Sequence, residues 1–154
     1  MKNVFIVLLL GLLSFSSCKT NKNIQPKTSE RYYFSFYRSG CYGVCPSYKI
    51  TFEEDGSFVY IGKSYVDNIG KHKGSLSKEQ SENFFNKLES YDWEKYPNEY
   101  PMDNYDLPQF TLEYSNLEFK KQIRGNSNAE KEIIELTKTI DNLIKTLTME
   151  IIME

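Results

Sequence analysis

Histidine is almost absent from this chain of 154 residues: His72 is the only one. Sites that draw two histidines from one chain are therefore excluded, HExxH metalloproteases and His-rich zinc hydrolases among them. A Ser-His-Asp or Cys-His arrangement would have a single candidate base. The three cysteines are too few for a disulfide-dense mini-scaffold. Neither charge sign dominates. Lys plus Arg is 19 and Asp plus Glu is 21, a formal net charge of -2, which argues against a nucleic-acid binder driven by phosphate neutralisation. The N-terminal apolar run, Val4 to Leu13, is short as well. As a helix it would be roughly 15 Å long, against a hydrocarbon core of ~30 Å. Aromatics are plentiful, at 15% with 12 tyrosines, and 40% hydrophobic with 26% charged residues is a globular balance. The length suits one domain with a short appendage.

Met1-Lys2-Asn3 followed by Val4–Leu13 has the basic and apolar regions of a secretory signal peptide. Ser14-Phe15-Ser16-Ser17-Cys18 resembles the lipobox of bacterial lipoproteins, in which the cysteine is acylated and becomes the new N-terminus. That resemblance implies a leader over residues 1–17 and lipidation of Cys18. The polar stretch after it reads as a tether through residue 29, so a single domain is expected over residues 30–154. The implied location is the cell envelope, on the outer membrane, with the bilayer as partner through acylated Cys18.

Tyr32, Phe34 and Phe36 alternate with Tyr33, Ser35 and Tyr37, a strand with apolar groups on both faces. Tyr48, Ile50 and Phe52 predict a second strand. Asp55-Gly56 supplies a tight turn, and Phe58 to Ile61 returns as a third. A weaker fourth strand is expected around Asp67 to Lys73. Ser77 and Gln80 form a capping box that opens a helix carrying Phe84, Phe85, Leu88 and Tyr91 on one face. Trp93 is expected to close that helix onto the core. Phe110, Leu112 and Tyr114, a turn at Ser115-Asn116, and Leu117, Phe119 and Ile123 make a second hairpin. Ile133, Leu136, Ile140, Leu143 and Leu147 predict a final helix from Ala129 to about Met149. The expected fold is α+β: an antiparallel sheet of about six strands, ordered as four strands, helix, two-strand hairpin and C-terminal helix, with the helices packed on one face.

The segment Gly40-Cys41-Tyr42-Gly43-Val44-Cys45-Pro46-Ser47-Tyr48 lies between two predicted strands. Two cysteines four apart in a secreted chain most often form a disulfide, and Gly40 and Gly43 permit the bend of so small a ring. The block resembles the opening motif of the bacterial family known as domain of unknown function 6438. Asp55-Gly56 with Tyr60 and Gly62, the Ser77–Gln80 helix start, and Asp106-Leu107-Pro108 fit the same family. The resemblance implies a lipoprotein of the kind found in Bacteroidota and brings no assigned activity.

No complete catalytic set is present, and no cofactor is implied. A non-catalytic binding or structural module is expected, with an envelope protein or glycan as partner and no nucleic acid. Its candidate contact surface is the loop from Asp92 to Pro108, where Tyr96, Tyr100 and Tyr105 stand among Glu99, Asp103 and Asp106. The acids Glu99, Asp103 and Asp106 could also offer oxygens to Ca2+, although the stretch is no EF-hand. The alternative is copper handling or thiol redox. Cys41-x-x-x-Cys45-Pro46 resembles the CxxxCP motif of thioredoxin-like copper chaperones, and His72 could join the two thiolates as a third ligand. Against it, the motif precedes a strand where those chaperones place a helix. His72 itself, between Lys71 and Lys73, reads as an exposed strand or turn residue.

Overall fold

The computed structural model describes residues 32–102 and 106–153. The leader, Cys18 and the tether lie outside the described residues. In chain order the elements are β1 (Tyr33–Arg38), β2 (Ser47–Glu53), β3 (Ser57–Ser64), β4 (Gly70–Ser75), α1 (Lys78–Glu89), β5 (Phe110–Ser115), β6 (Lys120–Gly125), α2 (Lys131–Thr146) and β7 (Glu150–Ile151). The strands form one antiparallel sheet in the order β6-β5-β1-β2-β3-β4-β7. The fold is α+β, with seven strands where about six were expected.

The local signals act as their chemistry requires. Asp55 accepts a hydrogen bond from the Ser57 N–H at 2.9 Å and closes the β2–β3 turn. The Ser77 N–H donates to the Gln80 side chain at 2.9 Å, and the Gln80 N–H donates to the Ser77 hydroxyl at 3.2 Å. This reciprocal box satisfies two N–H groups that a helix start leaves open. In the β5–β6 turn, Asn116 accepts from the N–H groups of Glu118 and Phe119, both at 2.9 Å.

Register gives the core its shape. Phe34 stands opposite Phe52 and Tyr114, and Phe36 opposite Ile50 and Leu112, so these side chains share one face of the sheet. All are buried. From α1, Phe84 meets Phe34 and Phe52 at ring-centroid distances of 5.6 and 4.8 Å. From α2, Ile133, Leu136 and Ile140 join the same cluster. Trp93 closes α1 onto this core: its indole N–H donates to the Leu88 carbonyl at 2.8 Å, and its ring stacks on Tyr114 at 4.9 Å.

Three expectations are corrected. The final helix ends at Thr146, because the chain becomes extended at Leu147 and returns as β7. The Ile152 N–H donates to the Lys71 carbonyl at 2.8 Å, so β7 pairs the outer edge of β4. The fourth strand runs from Gly70 to Ser75, later than expected. His72 is 7% exposed rather than a surface residue. It lies between Tyr60 on β3 and Ile151 on β7 in the register, and its ring meets Tyr60 edge-on at 6.2 Å. The glycines and lysines around it suggest a surface; the neighbouring strands bury it.

Candidate functional site

The β1–β2 connection carries the cysteines. Cys41 and Cys45 stand at disulfide distance, with their Cα atoms 5.5 Å apart. The Gly43 N–H donates to the Cys41 carbonyl at 2.9 Å, and Gly43 sits at φ 155°, a conformation that favours glycine. A ring of five residues has no interior to hold side chains. Tyr42 is accordingly 95% exposed and Val44 81%. The chain continues into β2, so the thiols are not placed at the start of a helix, the setting that lowers a thiol pKa.

At the same end of the sheet, β3 finishes opposite the start of β2, with Ser64 paired to Ser47. The β3–β4 loop therefore lies beside the cysteine ring. It exposes Tyr65 and Ile69, and Tyr65 adopts φ 53°, uncommon for a residue with a side chain. The loop is held tightly to β3 at Gly62, where a Cβ would fall 1.8 Å from the Asn68 carbonyl oxygen. Gly62→Ala is expected to push this loop away and lower stability by about 1–3 kcal/mol. Urea denaturation followed by Trp93 fluorescence checks it; an unchanged midpoint would contradict the packing described.

Between this loop, the start of β2 and the end of α2 lies a cleft of about 360 Å3. Tyr48 and Tyr60 stack at 5.6 Å in its floor, Val66 and Leu147 supply apolar wall, and Asp67, Asn68 and Lys145 supply polar wall. Asp141 also borders it. This carboxylate accepts two bonds from Arg38, Nε at 3.0 Å and Nη2 at 2.6 Å, and a third from the Tyr48 hydroxyl. Arg38 ends β1, Tyr48 begins β2 and Asp141 lies on α2, so three elements are tied together at the cleft. Burial, with the Asp141 bond second, pushes the Tyr48 hydroxyl pKa well above its usual value. Burial and then the Asp67 charge push Tyr60 up to about 12. Both phenols stay protonated at neutral pH, and the Tyr48 hydroxyl donates to Asp141.

The expected contact loop has another job. Tyr96 is 2% exposed and Tyr100 6%, so their rings belong to the core and are not a contact surface. The Tyr100 N–H donates to the Arg124 carbonyl and the Arg124 N–H to the Asn98 carbonyl, both at 2.9 Å. Glu99 bridges Arg124 in parallel fashion, and their side chains approach to 3.8 Å. The loop thus covers the outer edge of β6, whose backbone groups would otherwise lack partners. Asp106 is placed after this edge, in a turn. Asp103 and Tyr105 lie outside the described residues.

The three-ligand copper set is not assembled. Among the described residues no group of three or more His, Cys, Asp or Glu side chains is placed to hold a metal ion. Cys41 and Cys45 lie in the β1–β2 connection, and His72 is buried against Tyr60 within the sheet.

Sequence reasoning singled out the ring but missed its exposed Tyr42 and Val44. The spacing held that signal, since so small a ring must turn its side chains outward. The cleft residues carried no local signal, because they come from β2, β3, the following loop and α2. A family model described as a domain of unknown function, DUF6438, matches residues 32–144. No curated protein matches the chain.

Proposed function

We propose, for a chain that belongs to the DUF6438 family, a non-catalytic binding module held at the cell envelope by acylated Cys18, whose contact surface is the cysteine-ring end of the sheet. The observation that carries this reading is the exposure of Tyr42 and Val44 on a ring at disulfide distance. A short covalent ring fixes its own backbone, so little conformational entropy is lost when it docks. Tyrosine, the residue at position 42, is one of the types enriched at binding hot spots. Tyr65 and Ile69 extend the apolar surface from the neighbouring loop. This surface replaces the Asp92–Pro108 loop as the candidate, because the rings of Tyr96 and Tyr100 are unavailable for contact.

The test pairs two serine substitutions, Tyr42→Ser and Val44→Ser, in the full-length chain expressed in its own cells. Formaldehyde adducts to envelope components are expected to fall at least tenfold. Thermal stability should be unchanged, since both side chains point into solvent. Adducts that persist at the unsubstituted level would sink the proposal.

A further inference from the structure

We infer that the outward face of the sheet binds a linear acidic polysaccharide. Along β3, Val59, Ile61 and Lys63 point away from the core, alternating with buried Phe58 and Tyr60. The register sets Lys49 on β2 and Lys71 on β4 to either side of Ile61, and Lys73 beside Val59. Ordinary strand spacing puts the Cα atoms of Lys49 and Lys71 about 10 Å apart. All four lysines are exposed, and Val59 and Ile61 keep 39% and 36% exposure. Two aliphatic side chains thus stand among four positive charges, on a chain whose formal charge is -2. Lys63 also places its ammonium 4.6 Å from the centroid of the Tyr37 ring. Lys49, Lys63, Tyr37 and Thr111 line a shallow depression of about 390 Å3 on this face.

The acids on this face do not cancel the lysines. Glu113, also in the depression, is already engaged: it pairs with Lys120 at 2.9 Å and accepts from Tyr33 and Gln122. Glu53 ends β2, and Glu150 neighbours Lys73 from β7, so both lie outside the row of Lys49, Ile61 and Lys71. Among the described residues, Lys49, Lys63 and Lys73 form no ion pair with a carboxylate. A bilayer is a plane wider than the domain, and it would press Glu53, Glu113 and Glu150 against an anionic surface together with the lysines. A linear chain follows the lysines and avoids the acids. A folded protein partner needs an apolar interface core, and two part-exposed aliphatic residues supply little of one. Lysine ammonium groups are point charges on flexible stems, suited to carboxylates or sulfates repeated along a chain rather than to one bidentate contact. Between its charged groups a pyranose chain presents apolar C–H surface, which complements Val59, Ile61 and the Tyr37 ring. This face shares no residue with the cysteine ring, so the two surfaces are tested independently.

The test measures retention of the full-length protein on immobilised polygalacturonate, dextran sulfate and neutral dextran. Saturable binding to at least one acidic polymer and none to neutral dextran is expected. Binding should weaken as salt rises from about 0.05 to 0.5 M, because exposed charges are screened. Lys49→Gln combined with Lys63→Gln should lower the affinity about tenfold, the effect of losing two point charges. Lys78→Gln combined with Lys138→Gln removes the same charge from exposed positions on α1 and α2 and should leave binding unchanged. All four positions are exposed, so both double variants are expected to fold. Partition into phosphatidylcholine vesicles with and without phosphatidylglycerol reads the lipid alternative. Three results would overturn the inference. Neither acidic polymer is retained at low salt; the two double variants bind alike; or Lys49 and Lys63 govern the preference for phosphatidylglycerol vesicles while neither polymer binds.

Discussion

Replacing Asp141 with alanine is expected to destabilise the domain by about 3 kcal/mol, the lower end of the range for breaking a buried ion pair. Asp141 accepts two hydrogen bonds from Arg38 and one from Tyr48. The Arg38 side chain is only 14% exposed, so losing its partner strands a guanidinium that water can barely reach. The Tyr48 hydroxyl, on a residue 4% exposed, is orphaned at the same stroke. Asp141 keeps 29% exposure, which is why the lower end of the range applies. Against a typical total of about 5–15 kcal/mol, this is a large share. Asp141→Asn should cost less, because the amide keeps the shape and can still accept from Tyr48. In a double-mutant cycle, Arg38→Ala combined with Asp141→Ala should cost less than the two single changes added together. Equilibrium denaturation in urea measures all four proteins. A change within about 0.5 kcal/mol for Asp141→Ala would place the site among ordinary surface positions and contradict the account.

Replacing Cys18 with serine is expected to move the chain from the membrane fraction to the soluble fraction. Acyl chains contribute about 0.8 kcal/mol per buried CH2, and two or more hold a protein firmly where one does so marginally. Among the described residues no helix is long and apolar enough to cross a membrane. The side chains carry a formal charge of -2, which gives no general attraction to an anionic lipid surface. Ultracentrifugation of lysed cells, with a high-salt wash, separates the outcomes. Sedimentation of the Cys18→Ser chain at the unsubstituted level would rule out the lipid anchor.

The elements that the sequence made legible are those whose signals are local. Alternation of Phe34 and Phe36, the turn at Asp55-Gly56 and the Ser77–Gln80 box each act within a few residues. What joins them is not local. The β1–β5 pairing sets Tyr33 against Ser115 and merges the two hairpins into one sheet, and no short pattern encodes that register. β7 is two residues long, too short for any periodicity. The burial of His72, Tyr96 and Tyr100 depends on which strand edges lie nearby, so each looked more exposed in sequence than it is. The candidate site divides in the same way. The cysteine ring is legible in its spacing. The cleft is assembled from Tyr48, Tyr60, Asp67 and Asp141, residues brought together only by the folded sheet and helix.

The central claim is that the cysteine ring is the binding surface. The most direct measurement places a photo-reactive phenylalanine analogue at position 42 of the full-length chain in living cells, with position 138, an exposed site on α2, as control. The account predicts discrete, saturable adducts at position 42 and none at position 138. Identical adduct patterns at the two positions, or adducts at position 138 alone, would contradict it.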